Sequence, residues 1–110
     1  MNNWTAEDEK LVTLAKGARS RVNAKSSAAL RDSTGRTYSS AEVDKSFLSL
    51  SAVEITVAQA IASGSTGIEA IVICSENELT DHDHSIITNF AGPTTTIYLV
   101  DLQGQRIESN

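Results

Sequence analysis

Apolar positions recur at helical spacing near the start of the chain, at Leu11, Leu14, Ala15, Ala18 and Val22, with Lys10, Lys16, Arg19 and Arg21 between them. That period predicts an amphipathic helix from about Ala6 to Val22. Thr5 is placed to cap it, and Glu7 and Asp8 face the positive end of its dipole. Ala28-Ala29-Leu30-Arg31 and the stretch from Arg36 to Val43 flank Asp32-Ser33-Thr34-Gly35, a turn signal that predicts a β-hairpin. Ser46 to Ser63 is the most apolar long segment. Leu50, Val53, Val57, Ala60, Ile61 and Gly64 share one face of a helix there, and Leu48, Ala52, Ile55, Ala58 and Ala62 cover much of the rest. The expectation is a buried helix with Glu54 as its only charge. Ile68 to Cys74 reads as a mid-sheet strand. Thr80-Asp81-His82-Asp83 opens a capped helix whose stripe is Ile86, Ile87 and Phe90 and which Gly92-Pro93 stops. Thr94 to Val100 is β-rich, and a turn over Asp101-Leu102-Gln103-Gly104 predicts a last short strand ending near Glu108.

The order α-β-β-α-β-α-β-β predicts an α/β fold, a three-layer α/β/α sandwich around a mixed five-stranded sheet. One domain over residues 1–110 accounts for the length. Net charge adds one constraint: at −5 it counts against a broad surface for nucleic acid or anionic membrane, so neither is an expected partner. The basic residues do concentrate in the first 45 positions, where they read as solvated helix and turn residues. An RNA-associated role has only that concentration in its favour. The single cysteine, Cys74, excludes an intramolecular disulfide and closes an apolar run as a small buried hydrophobe. Met1-Asn2-Asn3-Trp4 lacks the pattern of a signal peptide, and no apolar run approaches the roughly 20 residues of a membrane helix. A cytoplasmic protein is the expectation, with Trp4 stapling the N-terminus.

Several strings, in order, resemble the small zinc-dependent cytidine deaminases. Ala15-Lys16-Gly17-Ala18-Arg19 looks like that family's first helix, and Ala28-Ala29-Leu30 like the end of its Gly-Ala-Ala-Leu strand, with Ser27 in place of the glycine. Gly35-Arg36-Thr37-Tyr38 is similar to the Gly-x-x-Tyr of its second strand, and Leu102-Gln103-Gly104-Gln105 to the turn before its last. The family's functional motifs depart from this chain. Its Cys-Ala-Glu (or His-Ala-Glu), a zinc ligand followed by the proton-shuttling glutamate, aligns back from Gly64 with Ser51, Ala52 and Val53. Its Pro-Cys-x-x-Cys falls where Asp81-His82-Asp83-His84 stands. Its ribose-holding Asn-x-Glu aligns with Glu42-Val43-Asp44 and its pocket aromatic with Ala24, and the substrate loop between Arg19 and Ala28 is shortened.

A serine hydroxyl is a poor zinc ligand and a valine cannot move a proton. Glu54 adjoins Val53, but one helical step turns a side chain by about 100°. The remaining metal candidates are His82 and His84, with Glu54 or Ser51 beside them; as residues two apart they would have to chelate from a loop, and a helix cap is the plainer reading. Glu54 reads as a functional carboxylate or as a helix residue paired with an arginine or at a subunit interface. Ser51 reads as a nucleophile without a base, or as a capping or packing serine. Glu42 and Asp44 are candidates to hold a hydroxylated small ligand, and for Asp44 the plainer reading is a turn residue before the buried helix. The resemblance therefore implies a deaminase-fold protein without catalytic residues, metal or other cofactor, acting by binding a small molecule or protein or by assembling as a dimer or tetramer. The rival is a hydrolytic nucleoside deaminase with zinc rebuilt on His82, His84 and Glu54.

Overall fold

Hydroxyl side chains start the helices of the computed structural model, which describes residues 5–107. Thr5 caps α1 (Ala6–Val22), Ser51 caps α2 (Ala52–Ala62) and Thr80 caps α3 (Asp81–Ala91). Each oxygen accepts an amide that the first helical turn leaves without a carbonyl. Asn23 ends α1 in the left-handed conformation, φ 53°, which asparagine tolerates better than most side chains.

Between α1 and α2 run β1 (Ser26–Asp32), β2 (Thr37–Ala41), β3 (Val43–Lys45) and β4 (Leu48–Leu50). β5 (Ile68–Ser75) separates α2 from α3, and β6 (Thr96–Val100) follows α3. The main sheet has the order β2-β1-β5-β6, antiparallel except for the parallel β5–β6 pair. Side chains alternate across it, as the pleat requires. Ala29, Ala70, Val72, Cys74 and Val100 meet Leu11 and Ala15 of α1 on one face. Ala28, Leu30, Ile71 and Ile73 meet Val53, Val57 and Ala60 of α2 and Ile87 of α3 on the other. Fully burying a side chain such as Leu30, Ile71 or Ile87 contributes about 1.5–3 kcal/mol. The expected three-layer α/β/α sandwich is thus formed, and small residues on the α1 side let that helix sit close to the strands.

The β1–β2 turn is held by Asp32, which is wholly buried. One carboxylate oxygen accepts from the Thr34 amide at 2.9 Å, the Thr34 hydroxyl at 2.7 Å and the Arg36 amide at 2.9 Å. The other accepts from the Ser65 hydroxyl. These bonds, that of Ser65 foremost, hold the carboxyl well below its ordinary range despite burial.

Three expectations need correction. Among the described residues the main sheet has four strands, not five. Past Val100, Asp101 Oδ1 accepts the amides of Gln103 and Gln105 at 3.0 and 2.9 Å, and that closed turn leaves a single bridge from Val100 to Arg106. Glu108 lies outside the described residues, as does Trp4. Second, the helix expected from Ser46 starts only at Ala52. The preceding residues form a separate antiparallel ribbon that pairs Val43 with Leu50 and Asp44 with Ser49. Third, α2 is an outer layer and not a buried rod: one face meets the sheet while Ala58, Gln59, Ile61 and Ala62 are exposed. Its apolarity all round hid which face that would be. Among the described residues, no helix is long and apolar enough to cross a membrane.

Candidate functional site

The N-termini of α2 and α3 meet on the sheet face away from α1, and their first turns carry the Ser51 and His82 candidates. Ser51 Oγ accepts the Glu54 amide at 3.0 Å, and Glu54 Oε1 accepts the Ser51 amide at 2.8 Å. The two thereby form a capping box, each side chain satisfying the other's backbone. The same Ser51 hydroxyl donates to Asp83 Oδ1 at 2.8 Å, and Glu54 Oε2 lies 2.9 Å from His82 Nε2. Two side-chain links therefore tie the helix starts together. The Ser51 amide first, and His82 after it, hold the Glu54 carboxyl below its usual range. The partner of Glu54 is thus a histidine, not the arginine considered from the sequence.

The residues between are core. Ala52 and Val53 retain only 3% and 1% of their exposure, and Val53 packs against the sheet. One step of about 100° explains why Val53 points inward and Glu54 outward. His82 and His84 both sit on α3, so they diverge, and His84 is exposed away from the Glu54 link. Among the described residues, no three His, Cys, Asp or Glu side chains are grouped so as to hold a metal ion.

Glu42 and Asp44 lie elsewhere. With Arg21, Lys25 and Lys45 they line a cleft of about 620 Å³ between the C-terminal end of α1 and the β2–β3 segment. Glu42 Oε1 accepts from the Ser26 hydroxyl at 2.8 Å, which fixes its side chain at the edge of β1. Ala24 lines the same cleft. Neither Ser51, Glu54, His82 nor Asp83 does, so the structure separates the two candidate groups. Sequence reasoning missed two things here. The pattern Ser51-x-x-Glu54 is itself a capping-box signature and would have placed the helix start at Ala52. The gathering of Arg21, Lys25 and Lys45 had no local signal, because the fold brings them together from three elements.

Cys74 is buried on the α1 side and its thiol donates to the Asp101 carbonyl at 3.3 Å. Burial pushes its pKa up, which is the state of an inert core cysteine.

The architecture is shared with known proteins. A cytidine deaminase from Burkholderia pseudomallei superposes with a TM-score of 0.78 at 21% identity, over 97% of this chain and 93% of that one. A cytidine deaminase from Mycobacterium leprae gives 0.69 at 19% identity over 90% and 89%, and one from Mycobacterium tuberculosis gives 0.65 at 17% over 83% and 81%. At such identities the likeness is one of fold. No curated protein sequence matches the chain. The sequence over residues 4–104 does match the cytidine deaminase-like family, and the chain therefore belongs to that family.

Proposed function

We propose that this chain is a non-catalytic member of the cytidine deaminase-like family, acting by binding a ligand or by assembly with copies of itself. The observation that carries the reading is the capping box. Ser51 and Glu54 are spent on each other's backbone, and Val53, at the aligned position of the shuttling glutamate, is packed in the core. The donor set supports the same reading. It does not fit zinc: no thiolate is near, the Ser51 hydroxyl already donates a hydrogen bond to Asp83, and His84 diverges from His82. Incubation of the purified protein with cytidine is expected to yield no uridine above background. Turnover that disappears in a Glu54→Gln variant would overturn the reading.

Assembly has its own support. Phe47 is 85% exposed at the tip of the β3–β4 ribbon, and Leu48, Leu50 and Ile61 are also exposed large apolar side chains. Exposed apolar groups of this size suit an interface. A dimer or tetramer by light scattering is the expected result, and a monomer at high concentration contradicts that half of the proposal.

One observation favours the second reading, a hydrolytic nucleoside deaminase with an atypical zinc site: the 2.9 Å contact that joins Glu54 to His82. It predicts bound metal together with turnover.

A further inference from the structure

We propose that the outer edge of β2 pairs antiparallel with the same edge of a second copy of this chain, about a two-fold axis at Ser39, so that the main sheet continues from one copy into the other. The inference rests on the assembly half of the proposed function and names the surface that assembles.

The backbone of β2 comes first. It is the outermost strand of the main sheet, bonded on one side to β1. In an antiparallel pair, successive residues turn their backbone groups toward and away from the neighbour. The Glu42 amide donates to the Ser26 carbonyl and the Asp32 amide to the Arg36 carbonyl, so Arg36, Tyr38, Ser40 and Glu42 are the residues that bond toward β1. Thr37, Ser39 and Ala41 therefore turn their N–H and C=O groups outward. Among the described residues these groups have one partner: the Ser40 hydroxyl donates to the Ala41 carbonyl at 2.8 Å. Ser39, Ser40 and Ala41 line the cleft beside α1, so free space borders the edge there. Exposed edges are commonly blunted by a lysine, a proline or a bulge. β2 has none of these: it reads Thr-Tyr-Ser-Ser-Ala, and its register with β1 is unbroken. At the opposite edge, the turn after Val100 comes back to bridge Arg106 to Val100 and to bond the Ile107 amide to the Leu99 carbonyl.

The residues along the edge say which strand fits it. A two-fold axis makes the contact self-complementary, each residue meeting its counterpart in both directions. With Ser39 opposite Ser39 of the second copy, Thr37 stands opposite Ala41 and Tyr38 opposite Ser40, and Arg36 stands opposite Glu42 at both ends. Thr37, Ser39 and Ala41 are then the hydrogen-bonded positions and exchange about six backbone bonds. Arg36 and Glu42 fall at non-hydrogen-bonded positions, where side chains approach most closely, and opposite charges directly across a pair stabilise it. Both side chains have capacity for this. The Arg36 side chain is 55% exposed and its contact with Asp32 is long, at 3.6 Å. Glu42 gives Oε1 to the Ser26 hydroxyl, and Oε2 has no partner among the described residues. Tyr38 packs against the core on the α2 side, which anchors the strand that presents the edge. A strand from another protein would satisfy the same backbone groups, but the charges at the two ends match the strand's own antiparallel copy.

Sedimentation equilibrium of the full chain, with amide hydrogen exchange by NMR at low and high protein concentration, tests this. The expected species is a dimer, or a tetramer that contains it, and the Thr37, Ser39 and Ala41 amides should exchange more slowly as it forms. Arg36→Glu sets like charges across both ends and should weaken the association at least roughly tenfold. Adding Glu42→Arg to that variant reverses both charges and should recover most of the loss. Ser39→Pro deletes an outward N–H and no bond to β1, so it should weaken association as strongly while circular dichroism shows the fold retained. The charge variants and the proline act at different positions, so misfolding of one leaves the other as a test. Association that neither Arg36→Glu nor Ser39→Pro changes would overturn the proposal and leave assembly itself standing, which tells its failure apart from failure of that reading. A monomer at high concentration would overturn both. Slow exchange of the three amides in a monomer would mean that this chain covers its own edge, and would overturn the proposal as well.

Discussion

The helix-start cluster and the α1–β3 cleft are both polar, and they differ in what satisfies them. At the helix starts, the side chains of Ser51, Glu54, His82 and Asp83 find partners within the chain, at 2.8 to 3.0 Å. In the cleft, Arg21, Lys25 and Lys45 have no carboxylate partner among the described residues. Polar groups that satisfy one another stabilise a fold and have little left to offer a ligand. Groups held near one another without partners contribute nothing to stability and are free to bind. The helix-start cluster thus contributes to holding α2 and α3 together, while the cleft lined by Arg21, Lys25 and Lys45 does not include it.

The strongest way to break this comparison is to put a carboxylate back where the family alignment places one. Val53→Glu buries an unpaired charge and should cost about 3–5 kcal/mol, enough to unfold much of a small domain, as read by urea denaturation. A stable Val53→Glu protein would mean that the position opens to solvent. Next in size, Ser51→Ala removes the cap and the link to Asp83 together and should lower stability by about 1–2 kcal/mol in the same assay. An unchanged midpoint would show that the cluster is not structural.

Acid titration sharpens the same point. Because the folded-state pKa of Glu54 is depressed, its contribution is present above the ordinary carboxylate range and is lost as pH falls through the folded value. Glu54→Gln should therefore narrow the difference in stability between neutral and acid pH. Loss of stability on raising pH from neutrality would have the wrong sign. The smallest effect belongs to the cleft: Lys25→Ala and Lys45→Ala should change stability by no more than about 0.5 kcal/mol, since exposed, unpaired side chains hold nothing in place. A larger loss would place them in the structural class.

Much of the scaffold was legible in the sequence because local signals agreed with the packing. Thr5 and Thr80 marked the starts of α1 and α3, and the run from Ile68 to Cys74 marked β5. The reading failed where apolarity lost its period. Leu48 and Leu50 extended the apolar pattern backward from α2, yet they belong to a ribbon, and the capping serine at Ser51 was the sign that the helix began later. It failed again after Val100, where the side chain of Asp101 closes a turn that left one bridge in place of a strand. The link from Glu54 to His82 spans 28 positions and the cleft joins α1 to β3, so neither could be read from neighbouring residues. Spacing along a chain reports faces of single elements; which faces meet is decided by the sheet order.

The central claim is that the Ser51 cluster is a self-satisfied structural device and not a metal centre. The direct test is the zinc content of protein purified without chelator or affinity tag and then dialysed against a modest excess of zinc. The account predicts zinc well below stoichiometric levels, with no gain in thermal stability from the metal. About one zinc per chain, lost on mutation of His82 or Glu54, would contradict it and restore the enzyme reading.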